Sequence, residues 1–207
     1  MTARPGWIER QLVARGIRDE RVLDAMAAVP REVFAPPGAR DQAYDDSPIQ
    51  LPFGQTISQP YMVALTCEAL RLEGDERVLD VGTGSGYAAA VLAELAREVH
   101  TIERIPQLVA WARSALADAG YEQVEVHQGD GARGLPEWAP FDAIAVAAAA
   151  REVPEALWEQ LRPGGRIALP LRTGRRAQHL IVLERTRKGS RLLASVPARF
   201  VPLVVEP

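Results

Sequence analysis

The segment 78–86, VLDVGTGSG, constrains the fold of this chain more than any other. Apolar residues and an acid lead directly into Gly82, Gly84 and Gly86, and 87–95 then carries apolar residues at helical spacing. The pattern reads as a strand, a tight turn and a helix N-terminus. Glycines let the backbone bend sharply and approach a ligand with no Cβ in the way. The C-terminal end of a parallel strand is also where doubly wound sheets bind their ligands. A dinucleotide fingerprint, G-x-G-x-x-G, would need its third glycine where Tyr87 stands. The pattern here is G-x-G-x-G with Asp80 two residues before Gly82, which does not suit a pyrophosphate on the helix N-terminus. It suits a smaller, cationic cofactor whose amino-acid end lies over the turn and pairs with an acid. The competing reading is a glycine-rich turn with no ligand, but three glycines in five residues are costly without a use.

Strands and helices alternate from this point. The stretches 99–103 (VHTIE), 123–128, 141–146 and 166–171 read as strands. Between them, 108–119 reads as a helix ended by Gly120, and 153–161 as one stopped by Pro163, Gly164 and Gly165. Such alternation implies a parallel sheet with right-handed crossovers. The stretches 178–185 and 192–201, joined at 188–190, then read as an antiparallel hairpin. Which of these two strands lies inside the other is not legible. Upstream, 7–14 and 20–29 read as helices joined at Gly16, with Val22, Leu23, Met26 and Val29 at helical spacing. They suit a lid or buttress better than a DNA reader, because the second has no basic face. Prolines and Gly38 make 31–54 mostly loop. In 53–64, FGQTISQPYMVA, Gly54 marks a turn, Ser58-Gln59-Pro60 a helix start, and 62–72 the apolar stripe that continues it. Thr56 and Ser58 either cap that helix or face a pocket from a loop, and the residues alone leave both open.

The remaining residues limit the chemistry. A length of 207 residues with 47% apolar content fits one domain, or one domain plus an elaborated end, with a real core. A formal charge of −3 gives no footprint for nucleic acid. Lys188 is the only lysine among 24 basic residues, a bias best read as genomic base composition. Cys67 is the one cysteine, so no internal disulfide forms, and its helical apolar setting marks it as packed. No signal-like or membrane-spanning stretch is present, so a cytoplasmic protein with no membrane partner is expected. His100, His127 and His179 are scattered without metal-ligand spacing, so they read as packed or surface residues and no metal is expected. There is no nucleophile elbow and no phosphate-binding Walker loop.

The 80–86 pattern resembles motif I of the class I S-adenosyl-L-methionine (SAM) methyltransferases, and five parallel strands followed by a hairpin resemble their sheet. After the fourth strand, 145–150 reads AVAAAA. The Asn/Asp-Pro-Pro-aromatic motif of the amino-group methyltransferases is therefore absent, and the helical Cys67 disfavours covalent attack on cytosine. That leaves an acceptor already nucleophilic at neutral pH. A carboxylate, with a pKa of about 4, is one. It needs no strong base, only alignment with the methyl, so positioning carries the catalysis.

The resemblance becomes specific over nearly the whole chain. VPREVF near Pro30, GQTISQPYMVA (54–64), DVGTGSGYAAAVLAEL, TIERI, GDG, PFDAIAV, VPEALWEQLRPGGRIALP and FVPL together look like the protein-L-isoaspartate O-methyltransferases. The resemblance implies a single doubly wound, mostly parallel seven-stranded α/β sheet, Rossmann-like, in one domain over 1–207. Its parts would be N-terminal helices and loop (1–54), active-site loop and helix (55–72), and the SAM-binding sheet with its hairpin (73–207). It implies methyl transfer from SAM to the free carboxylate of isoaspartyl residues in damaged proteins, D-aspartyl residues being an open question. The ester would then cyclise unaided to a succinimide, from which hydrolysis returns some aspartate. SAM would be the only cofactor, leaving as S-adenosyl-L-homocysteine, and the enzyme would be a monomer. Position by position, Ser58 matches the active-site serine. Thr56 and Ile57 would line the peptide and cofactor side, and Val201 would offer backbone hydrogen bonds to an extended peptide. Gly82, Gly84 and Ser85 would bed the methionine part, Glu103 would take the ribose, and Asp130 with Gly131 the adenine side. Gln55, Asp80, Thr83, Gly86 and Arg104 complete the expected cofactor set. On the residues alone, Glu103 could be a surface carboxylate and Asp130 an Asx turn. Ala147, Arg151, Leu171 and Arg172 depart from the family pattern and bear on peptide preference. The alternatives are an enzyme of the same fold that esterifies another peptide or small-molecule carboxylate, and a SAM-binding module without turnover.

Overall fold

A computed structural model describes residues 4–174 and 177–204, so the extreme ends of the expected 1–207 domain lie outside the described residues. The N-terminal extension contains α1 (Gly6–Gln11), a 3-10 turn (Val13–Arg15), α2 (Glu20–Ala28) and α3 (Arg31–Phe34). Asp19 caps α2 by accepting hydrogen bonds from the backbone N–H groups of Arg21 (2.9 Å) and Val22 (3.4 Å). The apolar face of α2, with Val22, Leu23 and Met26, is buried. The extension is a buttress: the Tyr87 hydroxyl donates to Met26 Sδ (3.7 Å).

The stretch 31–54 is more ordered than its prolines suggest. It holds α3, a 3-10 helix (Pro37–Gln42), the short strand β1 (Ile49–Gln50) and a 3-10 turn (Pro52–Gly54). β1 pairs antiparallel with β2 (Thr56–Ile57). These elements are too short to leave a periodic signal, and tertiary pairing alone stabilises them. α4 (Pro60–Leu70) follows.

The body is one seven-stranded sheet. In chain order it comprises β3 (Arg77–Val81), α5 (Tyr87–Ala93), β4 (Glu98–Glu103), α6 (Pro106–Asp118), β5 (Glu125–Gln128), β6 (Phe141–Val146), α7 (Glu155–Gln160), β7 (Leu161–Arg172), β8 (Gln178–Thr186) and β9 (Gly189–Ala198). The spatial order is β5-β4-β3-β6-β7-β8-β9. The first five of these strands pair in parallel, and β7, β8 and β9 pair antiparallel. The hairpin's inner strand is therefore β8, and β9 is the edge. β7 begins earlier than the proline and glycines predict: Leu161 already pairs with Phe141, and the register shifts before Arg166 meets Ala143. The 163–165 segment is an irregularity within the strand pair, and a Cβ on Gly165 would stand 2.7 Å from the Asp142 carbonyl oxygen. β9 ends before Val201, short of the expected 192–201 strand.

Strand parity divides the core. Leu79, Val81, Ile144, Val146, Ile167 and Leu169 point to the face covered by Leu157 of α7. The alternate residues Val78, Ala143, Ala145 and Ala168 face the side of α4 and α5, where Ala64, Cys67, Ala89 and Leu92 pack. Small side chains on this second face let the helices approach closely and leave room for a cavity. The strand order reverses at β3, between β4 and β6, so the loops after β3 and β6 diverge and open a crevice at their C-terminal ends. Among the described residues no helix is long and apolar enough to cross a membrane.

Candidate active site

The crevice is built on a buried polar network. Asp80 is 1% exposed and faces the α4–α5 side. Its Oδ2 accepts a hydrogen bond from the Thr101 hydroxyl (2.7 Å), and Thr101 Oγ1 lies 2.6 Å from Thr83 Oγ1. Burial pushes the Asp80 carboxyl up to about 6; the Thr101 bond pulls it down and the nearby Glu103 charge pushes it further up. From the next strand, Glu103 reaches the glycine turn. Its Oε2 accepts from the Gly84 N–H and its Oε1 from the Ile105 N–H, each at 3.0 Å. Glu103 is 7% exposed, so it is no free surface carboxylate. Gly82, Gly84 and Gly86 adopt φ of +98°, +55° and +93°, values an L side chain resists.

Two neighbouring cavities and a groove gather most of the expected residues. One cavity is lined by Gln55, Gly82, Glu103, Arg104 and Gly131, with Ala148. The second is lined by Ser58, Asp80, Cys67 and Ala147, with Phe200. A Cβ on Gly82 would lie 3.5 Å from the Ala147 Cβ, so the two cavities adjoin. The open groove passes Thr56, Ser58, Gln59 and Tyr61 and runs along 196–201. Ser58 lines both the second cavity and this groove. The N-cap of α4 is Gln59, with no side-chain capping bond, so the capping alternative for Ser58 does not describe the structure.

Other expected residues stand behind the walls. The Thr83 hydroxyl is spent on Thr101, and Ser85 Oγ accepts from the Tyr87 N–H (3.4 Å), so neither hydroxyl is turned to the cavities. Ile57 is 4% exposed and packs in the core. Gly86 abuts Leu116, where a Cβ would come within 3.1 Å of Cγ. Asp130 accepts from the Ala132 N–H (2.9 Å), the Asx-type turn foreseen as its alternative, and this turn holds Gly131 against the sheet. The Val201 carbonyl already accepts from the Ala149 N–H (2.7 Å), so what Val201 offers an extended peptide is narrowed to its N–H. Ala147 lines the second cavity, whereas Arg151 and Arg172 are solvent-exposed and line neither cavity nor groove.

Three features escaped the sequence pattern. Phe200 lines both the second cavity and the groove. Arg15 stacks on Tyr61 at 3.5 Å from the ring centre and pairs with Asp46 (2.7 Å), forming a groove wall. The histidines expected to be scattered are partly paired. His100 Nδ1 lies 3.1 Å from His127 Nε2, and His100 Nε2 lies 2.8 Å from Glu98 Oε1. This pair sits against Trp138, away from the crevice. Among the described residues no three His, Cys, Asp or Glu side chains are grouped as a metal site requires. Cys67 is buried, which raises its thiol pKa to about 12 and leaves it a packed residue.

The site fits a cofactor with a cationic amino-acid end and an adenosyl end. Asp80 is a carboxylate out of water with no cationic side chain beside it among the described residues, lining a cavity next to the glycine turn. At the other end, a Cβ on Gly131 would come within 2.5 Å of Val81 Cγ1, so only glycine keeps that wall in place.

The family model described as protein-L-isoaspartate(D-aspartate) O-methyltransferase matches residues 7–206. The chain is 54% identical over 204 residues to protein-L-isoaspartate O-methyltransferase 2 of Marinobacter nauticus, covering 98% of this chain and 93% of that protein. A solved structure of a protein-L-isoaspartate O-methyltransferase superposes with a TM-score of 0.83 at 28% identity, over 94% of this chain and 64% of the other. One from Plasmodium falciparum, in complex with S-adenosyl-L-homocysteine, superposes with a TM-score of 0.82 at 26% identity, over 96% and 97% of the two chains. The chain belongs to the protein-L-isoaspartate(D-aspartate) O-methyltransferase family.

Proposed function

We propose that this chain is a SAM-dependent protein carboxyl methyltransferase that esterifies the free carboxylate of L-isoaspartyl residues in damaged proteins, as its family membership supports. The observation that carries the reading is the position of Ser58, on the wall shared by the buried cavity of Asp80 and the open groove. In this reading Asp80 takes the amino group of the cofactor, and Gly82 and Gly84 admit its methionine part. Glu103 takes the ribose, with Gln55, Arg104 and Gly131 around the adenosyl end. Thr83, Ser85, Gly86 and Asp130 support this cradle from behind. Bound SAM supplies a methyl group on a sulfonium and departs as S-adenosyl-L-homocysteine.

The chain's own contribution is alignment. The acceptor carboxylate is ionised at neutral pH and brings its own electron pair, so no base has to take a proton. The Ser58 hydroxyl donates to one carboxylate oxygen and directs the other toward the cavity. Thr56 and the Val201 N–H hold the peptide backbone on either side. Phe200 and Met62 exclude water from the cavity where it meets the groove. One C–O bond forms as one S–C bond breaks, and both electrons of the latter remain on sulfur. The released ester cyclises to a succinimide without further help from the protein.

We also infer that 1–207 acts as one catalytic domain, as a monomer in the cytoplasm. The test uses radiolabelled SAM with paired peptides of one sequence carrying L-isoaspartyl, D-aspartyl or L-aspartyl at one position. Base-labile methyl esters on the isoaspartyl peptide and none on the L-aspartyl twin are expected. Label on both, or on neither, refutes the assignment of substrate.

A further inference from the structure

The N-terminal extension reaches the acceptor loop through one side chain. Arg31, the first residue of α3, is fully buried, and among the described residues no other arginine or lysine is. Its Nε donates to the Ala43 carbonyl (2.7 Å) and its Nη2 to the Ser58 carbonyl (2.8 Å). Its guanidinium carbon lies 4.5 Å from the centre of the Tyr87 ring, on the first residue of α5 after the glycine turn. Nη1 is buried and has no hydrogen-bond partner among the described residues. One guanidinium thus touches three segments far apart in sequence: the extension, the acceptor loop and the cofactor cradle.

Adhesion alone would not call for a charge here. A buried cation with one donor unpaired is a costly way to join three segments, and an apolar side chain of the same volume would join them at lower cost. What the guanidinium adds is direction. Its planar fork bonds two carbonyls at once while its face lies on a ring, and a lysine ammonium reproduces only part of this. Ser58 lies between β2 and the N-cap of α4, and its hydroxyl does not cap that helix. The bond from Arg31 therefore holds Ser58 by its peptide and leaves the hydroxyl free for the acceptor.

We propose that Arg31 is a positioning residue for methyl transfer: it fixes the Ser58 peptide so that the hydroxyl stays at the wall between cavity and groove, and it ties that peptide to the cofactor cradle through Tyr87. The inference rests on the reading of Ser58 given above.

A double-mutant cycle tests it, with kcat and KM measured on an isoaspartyl peptide and the Kd of S-adenosyl-L-homocysteine measured by calorimetry. Arg31→Lys is expected to lower kcat at least tenfold, with KM and the Kd changed less than threefold. In a Ser58→Ala background the same change is expected to lower kcat less than twofold, because the group being positioned is gone. Losses that multiply in the double variant, a kcat kept within twofold, or a Kd that rises in step with the fall in kcat each overturn the positioning role. If Arg31→Lys gives no folded chain by near-UV circular dichroism, Arg31→Gln replaces it; failure of both makes Arg31 a folding residue and overturns the inference. An undiminished kcat in Ser58→Ala alone removes the reading of Ser58 and the inference with it. Normal Ser58→Ala loss with additive Arg31 effects removes the inference only.

Discussion

Asp80→Asn should make the ligand-free protein more stable and a poorer methyltransferase. The Asp80 carboxyl is 1% exposed and is pushed from its ordinary 3.8 up to about 6, chiefly by burial. Each pH unit of displacement corresponds to 1.36 kcal/mol, so the ionised carboxylate costs the folded chain about 3 kcal/mol at pH 7. The sign follows from proton uptake. Between 3.8 and about 6 the folded chain binds more protons at this site than the unfolded chain, so its contribution to stability falls as pH rises through that window. An asparagine keeps an oxygen for the Thr101 hydroxyl and removes the charge. Its expected gain is up to about 3 kcal/mol at pH 7, or about 6–12 °C in Tm for a chain of this size, shrinking to about half at pH 5. On the proposed reading the same substitution also withdraws a charged partner from the amino group of the cofactor, and S-adenosyl-L-homocysteine should bind roughly 10–100-fold more weakly. Differential scanning calorimetry at pH 7 and pH 5, with titration calorimetry on the same samples, reads both effects. A Tm that falls at pH 7, or a gain equal at both pH values, would refute the argument that Asp80 is held ionised at a cost. Unchanged ligand affinity would refute its role toward the amino group.

On the role proposed for its hydroxyl, orienting the acceptor, Ser58→Ala should lower kcat on an isoaspartyl peptide by about 10²-fold or more while leaving S-adenosyl-L-homocysteine affinity nearly intact. Equal loss of both in paired kinetic and binding assays would make Ser58 a cofactor residue. Gly131→Ala places a Cβ 2.5 Å from Val81 Cγ1 and should cost about 1–3 kcal/mol in a urea melt, with weaker ligand binding. An unchanged melt would mean that Val81 can move aside. His127, whose pKa is lowered by burial and by the neighbouring His100, acts with the opposite sign to Asp80. Its contribution is complete above about 6.5 and is lost as pH falls below that value, because the unfolded chain takes up the proton first. Thermal melts from pH 8 to pH 5.5 should show this loss, and His127→Gln should flatten it.

The glycine turn, the acid before it, the strand–helix alternation and the acceptor-loop motif could all be read from the chain because each is local. A turn with positive φ at Gly82, Gly84 and Gly86 leaves its mark in adjacent residues, and so does a parallel strand buried on both faces. Element type was therefore legible along the sheet. Element ends were less so: Pro106 starts α6 two residues before the apolar pattern does, and β7 runs through Pro163, Gly164 and Gly165. The small elements between 31 and 54 left no period to read.

What the chain determined by itself is the strand, acid and glycine turn of 80–86, since that local chemistry admits few backbone paths. What only the tertiary structure decided is which distant residues meet. It placed Asp80 out of water against Thr101, paired His100 with His127, put β8 inside β9, and spent the Val201 carbonyl on Ala149. It also brought residues 43, 58 and 87 around the guanidinium of Arg31. Local pattern specifies φ, ψ and the face a side chain takes. Burial, and with it the cost of a charge and the need for a partner, is set by the packing of segments that the sequence keeps apart.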